Sequence, residues 1–141
     1  DTNSFNVVMD CFGLPRNSPA QKQARDLAIA DATRGATRVP LSVLEKVPAL
    51  LKLAAEISEI GNAPSLSDAG VAVLTALAGA EGAYYNVLIN LDGLKELDQS
   101  GEPGFFDDAL SRARKAMTEC EALAAESRMA VRTKLEKALE G

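Results

Sequence analysis

Apolar residues recur at spacings of three and four along most of the chain, which is the spacing of one face of an α-helix. The first predicted helix covers residues 2–12. The second covers residues 19–34, because Ser18 can cap it, Pro19 suits a first helical position and Gly35 can end it. No run of residues alternates with a period of two, so the pattern predicts no strand.

The middle of the chain predicts two further helices. The third begins near Pro40 and ends before Gly61. Pro48 lies inside this helical pattern, and we expect it to kink the helix because proline removes a backbone hydrogen bond. The fourth helix begins at Ser67, its predicted N-cap, and ends near Leu91.

The fifth predicted helix follows Gly104 and ends near Leu139. Every seventh position along it is apolar, which is typical of a seam that packs on another helix. These positions are Leu110, Met117, Ala124, Val131 and Ala138. The pattern as a whole therefore predicts an all-α fold, a bundle of about five helices.

The fourth predicted helix carries a stripe of small and polar residues along one line of its surface. Its members are Asp68, Ala72, Thr75, Gly79, Gly82, Asn86 and Asn90. Bulky apolar residues occupy the opposite side: Val73, Leu74, Leu77, Tyr84, Leu88 and Leu91. Two interpretations remain open, because small side chains allow close approach of either another helix or a flat ligand that hydrogen-bonds to the carboxamides.

Composition narrows the possible chemistry. The chain has 141 residues, two cysteines and no histidine, so it cannot supply a serine–histidine–aspartate triad, a cysteine–histidine pair or a histidine metal ligand. Cys11 and Cys120 are too far apart in sequence for a CxxC motif, and we expect small buried side chains and no metal site. No secretion leader opens the chain, so a reducing, cytoplasmic location is expected.

Charge and composition argue against two classes of partner. The chain has 15 basic and 20 acidic residues, a net charge of −5, and no basic segment typical of a nucleic-acid surface. Residues 69–91 form an apolar stretch that is long enough to span a membrane. However, the stretch includes Asn86 and Asn90, whose transfer into hydrocarbon costs free energy. We therefore expect neither nucleic acid nor membrane as a partner.

Six short elements stand in an order that resembles the formiminotetrahydrofolate cyclodeaminase family, which includes stand-alone methenyltetrahydrofolate cyclohydrolases. The elements are DTNSF at 1–5, LPRN at 14–17, VPL at 39–41, GN at 61–62, SDAGVA at 67–72 and GAYYNVLINL at 82–91. The resemblance extends over residues 1–97. It implies an all-helical protein, a homodimer or higher oligomer, with folate bound near the subunit interface.

The resemblance also bears on domain organisation. Family members normally begin with a further helical region that contains a Pro-Gly-Gly-Gly-Ser segment, and the present sequence has no such segment. Residues 1–141 are therefore interpreted as a single domain, the C-terminal two thirds of the family's full domain. The remaining third would be a preceding segment or a partner chain.

The activity implied by the resemblance is cyclodeamination of 5-formiminotetrahydrofolate to 5,10-methenyltetrahydrofolate and ammonia. Methenyltetrahydrofolate cyclohydrolase activity is the alternative within the family. A non-catalytic helical interaction module is the alternative outside it. No cofactor is expected beyond the tetrahydrofolate substrate, and the sequence leaves open whether a formiminotransferase is fused or separate.

The matched elements assign roles to individual residues. By its position in the first element, Asp1 is the implied catalytic carboxyl. The implied contacts to the substrate are Ser67, Asp68, Asn86 and Asn90, with Arg16 as a candidate for a carboxylate of the folate tail. The stripe on the fourth helix independently selects Asp68, Asn86 and Asn90.

Overall fold

The computed structural model describes residues 2–97 and 101–140, and within them the chain forms five α-helices and no strand. The helices are α1 (Thr2–Phe12), α2 (Pro19–Leu44), α3 (Val47–Ile60), α4 (Ala63–Leu94) and α5 (Phe105–Lys137). The predicted all-α bundle is confirmed, and the predicted bounds of α1 agree with the structure.

Helix α4 is the centre of the bundle, because α2, α3 and α5 all pack against it, whereas α1 contacts α2 and no other described helix. The face of α4 that enters the core is rich in alanine. Its buried residues are Leu66, Ala69, Val73, Ala76, Ala80, Ala83, Val87, Leu91 and Leu94. The small side chains permit close helix packing, as at Gly70, where an added Cβ would lie 3.2 Å from Val131 Cγ1.

The core face of α4 is neither the small-residue stripe nor the bulky side opposite it. The core face lies between the two predicted faces, so Val73 and Leu91 are buried while Leu74, from the same predicted face, is half exposed. Alanine fills the core positions because three helices approach α4 at close range. Bulky side chains such as Leu74 and Tyr85 therefore project from the bundle.

The junction between α2 and α3 also differs from the prediction. Helix α2 continues through Gly35 to Leu44, and Pro40 lies inside it. Pro48 lies in the first turn of α3 and not at a kink, since a proline at this position removes no helical hydrogen bond. The backbone of α2 stays helical through Gly35 because the residues around it, including Thr33 and Thr37, are buried in the bundle.

Helix α4 begins four residues before the predicted start. The N-cap is Asn62, whose side chain accepts a hydrogen bond from the Ser65 backbone N–H at 3.2 Å. Ser67 therefore lies within the helix, where its hydroxyl donates to the Pro64 carbonyl at 3.3 Å. An asparagine followed by a proline two residues later was the stronger start signal.

The heptad positions of α5 form the predicted seam. Met117, Ala124 and Val131 are buried and Leu110 is half-buried, whereas Ala138 follows the end of the helix and is exposed. Both cysteines are free thiols, with Cys120 buried and Cys11 half-buried. One stretch of α4, Pro64–Leu94, has the length and apolar composition of a membrane span, with a mean hydropathy of 1.2.

Candidate functional site

An open groove of about 620 Å³ lies between the α2–α3 junction and the first half of α4. We call it the α3–α4 groove. One wall comes from the junction, with Val43, Val47 and Leu50, and the other comes from α4, with Asp68, Val71, Ala72, Thr75, Ala76 and Gly79. The first half of the predicted small-residue stripe therefore faces an open groove and is not covered by another described helix.

The walls of the α3–α4 groove differ in chemistry. Val43 and Leu50 are about half exposed and present apolar surface to the groove. Asp68 is exposed at the α4 wall, and its carboxylate makes no hydrogen bond or ion pair with any residue in 2–97 or 101–140. Such a site can bind a flat ring against the apolar wall while the carboxylate accepts hydrogen bonds from ring N–H groups.

Helix α5 holds the α2–α3 junction in place. Arg112 donates from Nε and Nη2 to the two carboxylate oxygens of Glu45, at 2.8 and 2.9 Å, which is a bidentate pair. The hydrogen bond to Glu45 is the main reason that the pKa of Arg112 is raised, and Asp108 adds to the shift. Because Glu45 lies between Val43 and Val47, this pair positions the apolar wall of the α3–α4 groove.

Asn90 lies at the other end of the stripe and has a structural role. Its Nδ2 donates to the backbone carbonyl of Ala36 at 3.2 Å. In a regular helix this carbonyl would accept from the N–H of residue 40, but Pro40 has no N–H. The Asn90 amide therefore replaces the hydrogen bond that Pro40 removes from α2.

Asn86 bonds within its own helix, since its Nδ2 donates to the Gly82 carbonyl at 3.0 Å. From the rise per residue of an α-helix, Asp68 is about 27 Å from Asn86 and about 33 Å from Asn90. A pterin is two fused six-membered rings and is shorter than either distance. The structure therefore separates the predicted substrate contacts into two groups within one chain.

Ser67 faces a different groove from its neighbour Asp68, because successive helical residues are about 100° apart. This second groove, the α4–α5 groove, has a volume of about 780 Å³ and is mainly apolar. Its lining includes Ser67 together with Leu74, Met129 and Leu135. Ser67 and Asp68 therefore cannot be brought to one side of a ligand in the α3–α4 groove.

The other two predicted site residues are Asp1 and Arg16. Asp1 lies outside the described residues. Arg16 is exposed in the segment between α1 and α2 and lines neither of the two grooves. Within residues 2–97 and 101–140, no three cysteine or acidic residues cluster in a way that could hold a metal ion.

The apolar wall of the α3–α4 groove was missed in the sequence. Val43, Val47 and Leu50 follow the i, i+4, i+7 spacing of one helical face, and that spacing could have identified them. The sequence pattern did not predict the break between α2 and α3 at residues 45–46. This break places Val43, Val47 and Leu50 on the side of the junction that faces α4.

Comparison with known proteins places these features in context. A sequence profile described as Formiminotransferase-cyclodeaminase matches residues 1–102. A methenyltetrahydrofolate cyclohydrolase from Methylorubrum extorquens is 42% identical over 96 residues, which cover 68% of this chain and 46% of that protein. A formimidoyltransferase-cyclodeaminase from Rattus norvegicus is 32% identical over 127 residues, 86% of this chain and 24% of that protein. The chain thus spans less than half the length of either relative.

Proposed function

The chain belongs to the formiminotransferase-cyclodeaminase family, and on this premise we propose that it converts 5-formiminotetrahydrofolate to 5,10-methenyltetrahydrofolate and ammonia. The observation that carries the proposal is the α3–α4 groove, in which the Asp68 carboxylate, without a partner in the described part of the chain, faces an apolar wall. A pterin is flat and rich in N–H donors, so it suits both walls.

The reaction requires two proton transfers. N10 of the folate attacks the carbon of the protonated formimino group on N5, which converts the C=NH2+ group to an amino group, and the tetrahedral intermediate then loses the proton of N10. The amino group is then protonated and leaves as ammonia while the methenyl bridge closes. One carboxyl group can accept the first proton and donate the second if it lies beside both nitrogens. We assign this role to Asp1, from its position in the matched element, and ring binding to Asp68.

Methenyltetrahydrofolate cyclohydrolase activity is the second candidate, and the 42% identity to a protein of that name favours it. Here water attacks the methenyl carbon and the same carboxyl accepts a proton from it. One carbon–nitrogen bond of the bridge then breaks, the carboxyl returns the proton to that nitrogen, and the second water proton is released as the formyl C=O forms. Both reactions involve the methenyl species, so a single substrate does not distinguish them.

The experiment supplies the two folates separately and follows the methenyl chromophore and ammonia. Cyclodeamination predicts that the chromophore and ammonia appear together from the formimino substrate. Cyclohydrolase activity predicts loss of the chromophore from the methenyl substrate without ammonia. If neither substrate reacts and neither binds, the protein is a helical interaction module.

We also propose that the chain forms a dimer or higher oligomer. Helix α1 has no buried residue, and Phe5, Met9 and Phe12 are each about half exposed or more. Helix α3 exposes Leu53 and Ile57 to a similar degree. Apolar surface of this extent is typical of a protein interface. Sedimentation velocity at micromolar concentration should detect the oligomer, and a monomer would contradict it.

A further inference from the structure

Arg34 of α2 is a buried cation whose hydrogen bonds are incomplete. Its side chain is 3% exposed, and its Nε and Nη1 atoms find no hydrogen-bond partner among residues 2–97 and 101–140. Two carboxylates lie within ion-pair distance: Asp31 Oδ1 is 3.5 Å from Nη2, and Glu102 Oε2 is 3.8 Å from Nε. Because the Asp31 side chain is 81% exposed, water screens much of its electrostatic attraction to Arg34.

Glu102 is shared between two arginines. Its Oε2 accepts a hydrogen bond from Arg38 Nη2 and also faces Arg34. The Arg38 guanidinium stacks on the Phe105 ring, 4.9 Å from the ring centroid. One carboxylate therefore serves two guanidinium groups, and the buried Arg34 donates no hydrogen bond to it.

The segment that carries Glu102 lies directly on the Arg34 guanidinium. A Cβ added to Gly101 would be 2.7 Å from Arg34 Nη2, so a larger residue there would displace the side chain or the segment. Helix α5 begins at Phe105, and its N-cap, Gly104, supplies no side-chain hydrogen bond. The positive end of a 33-residue helix thus lies beside the two arginines.

We propose that Arg34 and Arg38 form a binding site for the carboxylate of a small-molecule ligand, and that Glu102 fills this site in the structure. Guanidinium groups donate N–H hydrogen bonds to carboxylates, and among the described residues no group accepts a hydrogen bond from Nε or Nη1 of Arg34. Glu102 can leave because its side chain is 44% exposed and belongs to the segment between helices. The Arg34 guanidinium stays in place, because it is buried in the bundle.

This site is independent of the proposed folate groove. Asn90 bonds to Ala36, two residues after Arg34, and so the arginine pair lies beside the C-terminal half of α4. Asp68 and the α3–α4 groove lie toward the other end of that helix. Failure of one site therefore leaves the other testable.

The test is an acetate titration of the wild-type chain and the Glu102→Gln variant, with thermal unfolding as the readout. Sodium chloride at equal ionic strength is the reference. A ligand that binds only the folded state raises the melting temperature in a saturable way. We expect half-saturation at an acetate concentration about fivefold lower, or more, in Glu102→Gln, because Glu102 no longer competes.

The matched control is Glu136→Gln, which removes the partner of the exposed Arg132 at the end of α5. It should respond to acetate as the wild type does. Replacing Arg38 by Gln in the Glu102→Gln background should weaken the acetate response about tenfold. Equal responses of Glu102→Gln and Glu136→Gln would overturn the proposal.

A second readout does not depend on melting. The Arg34 Nε–H resonance in a ¹⁵N correlation spectrum should shift with acetate in both wild type and Glu102→Gln, at lower concentrations in the variant. A resonance that stays fixed in both proteins would show that no carboxylate reaches the buried guanidinium, and would overturn the proposal.

Discussion

Asn90 donates its side-chain N–H to the backbone carbonyl of Ala36, at 3.2 Å, although the two residues are 54 positions apart. This carbonyl lacks its helical donor because Pro40 follows four residues later. The hydrogen bond thus joins the element at residues 82–91 to α2 just before the element at residues 39–41, which contains Pro40. Proline is accommodated inside α2 because α4 supplies the missing donor.

The first prediction concerns this pairing. Replacing Asn90 by alanine should lower the free energy of unfolding by about 1 kcal/mol, the usual worth of one hydrogen bond. In a Pro40→Ala background residue 40 regains its N–H, so the Asn90 replacement should cost less. Urea unfolding of the four proteins in this cycle gives the coupling free energy. Equal costs in both backgrounds would show that Asn90 does not compensate for Pro40.

The second prediction concerns Gly61 at the end of α3. A Cβ there would lie 2.4 Å from Ser65 Oγ and 2.5 Å from the Ile57 carbonyl oxygen. The backbone oxygen cannot move easily, so Gly61→Ala should destabilise the fold by about 1–3 kcal/mol.

Gly82 provides the matched control for Gly61. A Cβ at Gly82 meets nothing within 4 Å, and the residue lies inside α4. Gly82→Ala should therefore stabilise the protein by about 0.5–1 kcal/mol, since alanine loses less entropy than glycine in a helix. Urea unfolding measures both variants, and a change of the same sign in both would contradict the local geometry.

The third prediction concerns the two thiols. Burial, with smaller contributions from Glu119 and Glu121, raises the pKa of Cys120 above the ordinary value of a cysteine thiol. A raised pKa leaves less thiolate at any given pH, and the thiolate is the reactive form. A disulfide reagent at pH 8 should therefore label Cys11, which is partly exposed, well before Cys120. Mass spectrometry of the digested protein identifies the labelled site, and prior labelling of Cys120 would contradict the packing.

The helical periods of the sequence were sufficient for the fold class but not for the helix boundaries. Gly35 and Pro40 are local stop signals, yet α2 continues through both because burial of its neighbours and the Asn90 hydrogen bond oppose them. That bond joins residues distant in sequence, so no local pattern contains it. The N-cap at Asn62 was readable locally, because an asparagine is followed by Pro64 in the first turn.

The candidate site was predictable in part, for a similar reason. Helical spacing places Asp68 on one line with Asn86 and Asn90, but it does not say which part of the line stays open. The α2–α3 junction leaves the line open at Asp68, while Asn90 is engaged with α2. Only the packing of α2, α3 and α4 separates a residue that faces an open groove from one that is hydrogen-bonded to another helix.

The most direct test of the central claim is a titration of tetrahydrofolate into the chain, with the melting temperature as the readout. Asp68→Asn removes the carboxylate from the α3–α4 groove, and Glu81→Gln is the control, an exposed carboxylate elsewhere on α4. We predict a saturable rise in melting temperature for wild type and Glu81→Gln, and about tenfold weaker binding for Asp68→Asn. An absent rise, or an equal rise in all three proteins, would contradict the assignment of this groove to folate.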